Sequence, residues 1–168
     1  ELEYIEQPCA TVEELAEVRR RVSTPIAADE SIRRAADPYR VAELNAADVA
    51  VCKAAPLGGV ANLVTIARDL HLDVTVASAL DTAVGMDAGL IAAKLTGSRA
   101  AGLATQRLFV EDVAEPRAME NGELAITRTT PDPERLHGLR APGERRDWWF
   151  DRVRACMAVL ERDPSFRV

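Results

Sequence analysis

Five short apolar runs, each followed by an amphipathic stretch, predict an α/β chain built on parallel strands in the manner of a (β/α) barrel. Three observations carry this expectation. The runs in LEYIEQP, TPIAADES, ADVAVCKAAP, DVTVASALD and AAGLATQ are nearly continuous in apolar residues rather than alternating, as strands are when both sheet faces are covered. Their tip residues, Glu6, Asp29, Lys53, Ser78 and Gly102, follow one another at 23, 24, 25 and 24 residues, a repeating strand-plus-helix unit. A doubly wound open sheet is the alternative, but no G-x-G-x-x-G follows the first run, which weakens its dinucleotide-binding version.

The elements follow in order. After the first strand, Thr11 and Glu14 form a capping box, Val12, Leu15, Val18 and Val22 mark one apolar face, and Arg19, Arg20 and Arg21 sit where a helix dipole favours cations. DPYRVAELN predicts a second helix, with Asp37 as N-cap and Pro38 at the first position. GGVANLVTIARDLHL is the third helix, and TAVGMDAGLIAAKLTG the fourth, closed by Gly97. AAGLATQ reads as a weaker fifth strand. From about Ala114 the pattern changes. RAMENGELAIT holds Asn121-Gly122 between two short runs, a hairpin signal. TTPDPERLHGLRAPG reads as a Pro-rich connector. ERRDWWFDRVRACMAVLERD predicts a closing amphipathic helix, with Trp148, Val153, Met157 and Leu160 on one face and both tryptophans buried by docking.

Composition narrows the function. The chain has 168 residues, 48% of them apolar and only 4% aromatic, so one domain with an aliphatic core is expected. The net charge is −6 with acids and bases interspersed, which argues against nucleic acid and anionic membranes as partners. No apolar run reaches 18 residues and no signal-peptide layout appears, and Cys9, Cys52 and Cys156 are odd in number and widely spaced; a cytoplasmic protein with free thiols is expected. Lys53 and Lys94 are the only lysines among 21 basic residues, so a lysine at a strand tip stands out.

In a barrel all strand C-termini open on one mouth, where the active site lies. Glu6, Asp29 and Lys53 would converge there in adjacent order. Two carboxylates on neighbouring strands make a hard-oxygen site suited to Mg²⁺, and a lysine beside them can stabilise a further negative charge or carry a proton. The plainer readings are a solvated turn acid, a salt bridge from the ADES segment to Arg33, and a lysine that snorkels to water. Glu30, Asp37 and Asp48 read as turn or cap residues, His71 and His137 as surface or packing residues, and Cys9 and Cys52 as filler, since no histidine is placed to activate either thiol.

The segments YIEQP, PIAADES, VCKAAPLGG and VASALDTAVG, in that order, resemble the catalytic barrel of the enolase superfamily, in its muconate-lactonising branch. GLATQRLFVEDV, TRTTPDPERL and DWWFDRV extend the likeness over nearly the whole chain, toward a dehydratase of menaquinone biosynthesis within that branch. The resemblance implies strands 4 to 8 of a TIM-like barrel over residues 1–113, with a hairpin, connector and helix over 114–168. It implies Glu6 and Asp29 as two of three Mg²⁺ carboxylates, Lys53 as the sixth-strand lysine, and Ser78, Ala79 and Leu80 as the segment lining a pocket for a small carboxylate substrate. Asp81 stands where the family usually has Glu. The capping domain, the second-strand Lys-x-Lys and the first metal Asp would belong to an N-terminal half of the same enzyme, without which residues 1–168 are expected to be inactive.

The implied activity is a Mg²⁺-dependent lyase. A base removes the proton alpha to the ring carboxylate of a succinyl-hydroxy-cyclohexadiene carboxylate, the metal and a lysine stabilise the enediolate, and the hydroxyl leaves as water. An N-acylamino acid or dipeptide racemase of the same superfamily is the alternative. A Schiff-base lysine aldolase and a non-catalytic barrel fragment are further ones.

Overall fold

The structure, a computed structural model, describes residues 2–162. Four parallel strands, β1 (Ile5–Glu6), β2 (Ile26–Ala28), β3 (Val49–Cys52) and β4 (Asp73–Val76), lie in the order β1-β2-β3-β4. Each is joined to the next by a helix: α1 (Val12–Arg19), α2 (Asp37–Glu43) and α3 (Val60–Asp69), with α4 (Met86–Thr96) after β4. The expected fifth strand is reduced to a single parallel bridge between Ala77 and Gly102. The small residues around Gly102 offer little to bury, and a 3-10 turn over Thr105–Leu108 takes over at once.

Strand alternation sorts the side chains into two layers. Ile26, Ala28, Ala50, Cys52 and Val76 face the helices and join Leu15, Val41, Leu63, Ile66 and Met86 in the main core. Ala27, Val49 and Val51 face the other way and pack with Tyr4 and Ala77. By the same alternation Glu6, the last residue of β1, and Asp29 and Lys53, the first residues past β2 and β3, continue this second face.

The sheet curls. Arg99 follows α4, yet its guanidinium reaches Asp73 on β4 and Glu3 before β1, both at 2.6 Å. A flat sheet would hold these edge strands about 14 Å apart. A curved arc of barrel brings the two edges toward each other and eases such a bridge.

Local signals explain most helix ends. In the α1 capping box, the Glu14 N–H donates to Thr11 Oγ1 (3.2 Å) and the Thr11 N–H to Glu14 Oε2 (3.0 Å). Gly97 closes α4 at φ 62°, a left-handed conformation that costs glycine least. At α2 the expectation needs correction: Ala36 is the N-cap, and Asp37 is the first helical residue. The Asp37 carboxylate turns back to accept the Arg33 and Arg34 N–H groups at 2.8 and 2.7 Å, fixing the turn before the helix.

The chain divides into two compact units, with the boundary between Pro131 and Asp132. The hairpin of β5 (Met119–Glu120) and β6 (Glu123–Leu124) lies in the first unit, beyond the sequence boundary at 113. The second unit begins inside the expected connector, which contains a short helix, α5 (Pro133–Gly138). Asp132 caps it, accepting the Glu134 and Arg135 N–H groups at 2.8 and 3.0 Å, and Pro133 occupies the first turn.

The last helix, α6 (Gly143–Arg162), is as expected in position; Asp163, its final expected residue, lies outside the described residues. Its faces differ from the expectation. At 100° per residue Trp148 points opposite Met157, and Trp149 shares the face of Val153 and Leu160. Neither tryptophan is buried: Trp148 is 48% exposed and Trp149 52%. Arg145 and Arg152 each lie over the Trp148 ring at 5.7 Å, giving that ring a cationic cover of its own.

Candidate active site at the strand ends

Each candidate residue owes its place to where an apolar run stops. Asp29 and Lys53 follow the last residues of β2 and β3, at the C-terminal end of the sheet and on its inner face. Both are buried, at 8% and 7% exposure, and Lys53 Nζ donates to Asp29 Oδ1 in a buried ion pair. Arg33 adds a second cation, its guanidinium 3.8 Å from Asp29 Oδ1 and 3.2 Å from Glu30 Oε1. The ADES acids therefore do meet Arg33, but Asp29 keeps Lys53 as its closer partner.

Glu6 ends β1 beside this pair and is exposed. Partial desolvation pushes its carboxyl above the ordinary value, the negative charges of Asp29 and Glu30 push the same way, and Lys53 pulls back. Two anions and one lysine thus share one mouth. A cation placed between the carboxylates would relieve their repulsion.

Gln7, which sequence reasoning passed over, holds this arrangement. It sits at φ 40°, a left-handed conformation unusual for a non-glycine residue, where the chain turns from Glu6 into Pro8. Its Oε1 accepts the Asp29 N–H (2.9 Å) and the Ser31 N–H (3.2 Å), and its Nε2 donates to Cys9 O (2.9 Å) and Ser31 Oγ (2.8 Å). The signal that could have found it is a residue with both donors and acceptors between a strand tip and a proline.

The remaining candidates sit after β4, at the same end of the sheet. Ser78 is buried, and its hydroxyl donates to the Gly102 carbonyl at 3.0 Å, so its side chain is engaged structurally. The Ala79 N–H donates to Asp81 Oδ2 at 3.0 Å, which gives Asp81 a turn-forming role. This turn presents Leu80 at φ 61°, with its side chain 59% exposed. Behind the turn, the Ala83 N–H is held by the buried Asp112 (2.8 Å), and the Ala83 carbonyl accepts from Arg117 (2.9 Å), which also pairs with Asp87. No periodic signal marks Arg117 in the sequence, because its partners lie up to 34 residues away.

Of the two thiols near the mouth, Cys52 is set against thiolate chemistry by its burial. Cys52 faces the helix layer, and burial pushes its thiol up to about 11. Cys9 gives its carbonyl to Gln7 and packs against the main core.

The Enolase C-terminal domain-like family model matches residues 1–135. The chain belongs to this family. Its four-stranded arc is accordingly part of the family's (β/α) barrel, and the strand ends carrying Glu6, Asp29 and Lys53 are barrel strand ends. Among curated relatives, the chain is similar to o-succinylbenzoate synthase of Mycobacterium tuberculosis, 59% identical over 98% of this chain and 51% of that protein. It is 57% identical to o-succinylbenzoate synthase of Mycolicibacterium smegmatis, over 95% of this chain and 50% of that protein. The chain thus spans about half the length of the curated relatives it matches. Among solved structures, muconate lactonizing enzyme from Pseudomonas fluorescens superposes with a TM-score of 0.73 at 26% identity, over 83% of this chain and 41% of that one.

Membership of the Enolase C-terminal domain-like family implies a divalent metal ion. Among the described residues no three His, Cys, Asp or Glu side chains come together as a metal-holding group. What is present fits as part of one: two hard-oxygen carboxylates, Glu6 and Asp29, at neighbouring strand ends, with the Glu6 carboxyl raised first by partial desolvation and then by the charge of Asp29. Among the described residues no helix is long and apolar enough to cross a membrane.

Proposed function

We propose that the protein to which this chain belongs is an o-succinylbenzoate synthase, a Mg²⁺-dependent dehydratase of menaquinone biosynthesis. The observation that carries the reading is the buried Asp29–Lys53 pair beside Glu6 at the barrel mouth, in a chain 59% identical to such synthases across 98% of its length. Glu6 and Asp29 would hold the metal together with ligands from other parts of the enzyme. When bound, the metal supplies positive charge that acidifies the proton alpha to a carboxylate.

This chain's own residues would stabilise charge and line the pocket, while the proton transfers belong to residues elsewhere in the enzyme. Lys53 holds a fixed ammonium group at the mouth, anchored by Asp29, where it stabilises the negative charge that develops on the substrate carboxylate as the proton leaves. Burial keeps that charge from being diluted by water. The backbone of Ser78 and Ala79 and the exposed Leu80 side chain line the pocket for the small carboxylate substrate. The proton balance needs a group from outside this chain: a base there would take the alpha proton, the C–H electron pair forms the ring double bond as the C–O bond breaks, and the same proton returned to the leaving hydroxyl lets it depart as water. A cytoplasmic location belongs to the same proposal and is supported by the free thiols of Cys9, Cys52 and Cys156.

The test is dehydration of the succinyl-hydroxy-cyclohexadiene carboxylate by the full-length enzyme with Mg²⁺, followed as the ring becomes aromatic. Lys53→Ala should lower kcat by about 10²–10³, and Asp29→Asn should weaken Mg²⁺ binding and lose turnover with it. Absence of dehydration, with solvent-deuterium exchange into both enantiomers of an N-acylamino acid, would instead make the protein a racemase.

A further inference from the structure

The last β1–β2 backbone bond runs from the Gln7 N–H to the Ala27 carbonyl at 2.8 Å; past it the ladder stops, because Gln7 turns left-handed and Pro8 cannot donate. The Asp29 N–H lies past that point and needs an acceptor. Gln7 Oε1 supplies it at 2.9 Å, in place of the carbonyl that a longer β1 would have offered. The same oxygen takes the Ser31 N–H at 3.2 Å, while the two amide protons of Nε2 go to Cys9 O and Ser31 Oγ. Both donors and both acceptor sites of the Gln7 amide are thereby filled.

We propose that Gln7 is a positioning residue that fixes the separation of Glu6 and Asp29, and so sets how tightly the paired carboxylates hold a divalent cation. This rests on the metal role proposed above for the two carboxylates. The geometry gives Gln7 that lever from both ends. Its own backbone adjoins Glu6, and its side chain grips the peptide N–H of Asp29, 22 residues away. A residue able only to accept would leave Cys9 O and Ser31 Oγ facing another oxygen. A shorter side chain such as Asn would lack one methylene of reach. Groups that orient metal ligands are typically worth about 10–100-fold in metal affinity.

The test uses the full-length enzyme. Stripped of metal, Gln7→Met should speed hydrogen exchange at the Asp29 and Ser31 amides while distant core amides keep their protection. Calorimetric titration with Mg²⁺ should show affinity lowered about 10-fold, and saturating Mg²⁺ should restore kcat, which a general loss of folding would not allow. Ser31→Ala, which removes one anchor of the amide, provides a second reading if Gln7→Met does not fold, with a loss of about 3-fold expected, less than for the full set of contacts. Unchanged Mg²⁺ affinity in Gln7→Met, or in Ser31→Ala where that variant must stand in, overturns the proposal. Asp29→Asn separates the two ideas: if it too leaves Mg²⁺ affinity unchanged, the metal reading itself has failed. If only the Asp29 variant weakens binding, the positioning role alone has failed.

Discussion

Removing the Lys53 ammonium from the metal-free protein tests the central pair most directly. Asp29 and Lys53 side chains are 11% and 9% exposed, and each is the other's nearest charged partner. Lys53→Met keeps the length and apolar stem of the side chain but leaves the Asp29 carboxylate buried with Arg33 alone, at 3.8 Å and 45% exposed. Breaking a buried pair from one side costs about 3–5 kcal/mol. An exposed guanidinium returns no more than about 1 kcal/mol. The expected net loss is therefore about 2–4 kcal/mol, read from urea denaturation at pH 7 in EDTA. Asp29→Asn in the same background removes the stranded charge, so the double variant should recover much of the loss, with a coupling of about 1–3 kcal/mol in the cycle. A single-variant loss below about 1 kcal/mol, or strictly additive effects, would refute the view that these two groups depend on each other.

Two further outcomes follow from the same neighbourhood. Folded Glu6 holds its proton more tightly than its ordinary value of 4.5, so its favourable contribution to folding is complete below that pH and is lost as pH rises through the higher folded value. Metal-free Glu6→Gln should accordingly melt at a higher temperature than the wild type near neutral pH and at the same temperature below 4.5; a difference that does not vary with pH would contradict this. Cys52, with its thiol near 11 and no exposed surface, should resist iodoacetamide at pH 8 until the chain is unfolded, while the exposed Cys156 is alkylated promptly. Mass mapping of the labelled peptides distinguishes the sites, and equal labelling rates would be inconsistent with the packing around Cys52.

The strand ends were legible in the sequence because an apolar run that stops on a charged residue fixes both the end of the strand and the side chain it presents. Asp29 and Lys53 meet as that logic requires, since they terminate neighbouring strands on the same face. The fifth strand was over-read: AAGLATQ has the composition of a buried run, but Ala and Gly make so little contact that only the Ala77–Gly102 bridge forms. In α6 a one-residue error of phase put Trp148 on the wrong face, although the flanking Arg145 and Arg152 marked its surroundings. The short α5 could have been read from Asp132-Pro133, a cap followed by a first-turn proline. Gln7 and Arg117 were harder. Their work is done by hydrogen bonds to backbone groups 22 to 34 residues distant, and a one-dimensional pattern carries no record of such contacts.

The two-faced alternation of β3 also restricts how a gene for this chain can change in length. Cys52 and Lys53 are neighbours, yet one faces the helix layer and the other the mouth. Inserting or deleting a single codon between Val49 and Lys53 would turn every following side chain through half a turn, sending the ammonium into the aliphatic layer and a thiol toward Asp29. A codon added in the exposed hairpin turn at Asn121-Gly122, by contrast, shifts no residue of the four-stranded sheet out of its register. The intervals of 23 and 24 residues between Glu6, Asp29 and Lys53 differ by one, yet all three reach the same mouth, so the extra residue lies outside the strand registers.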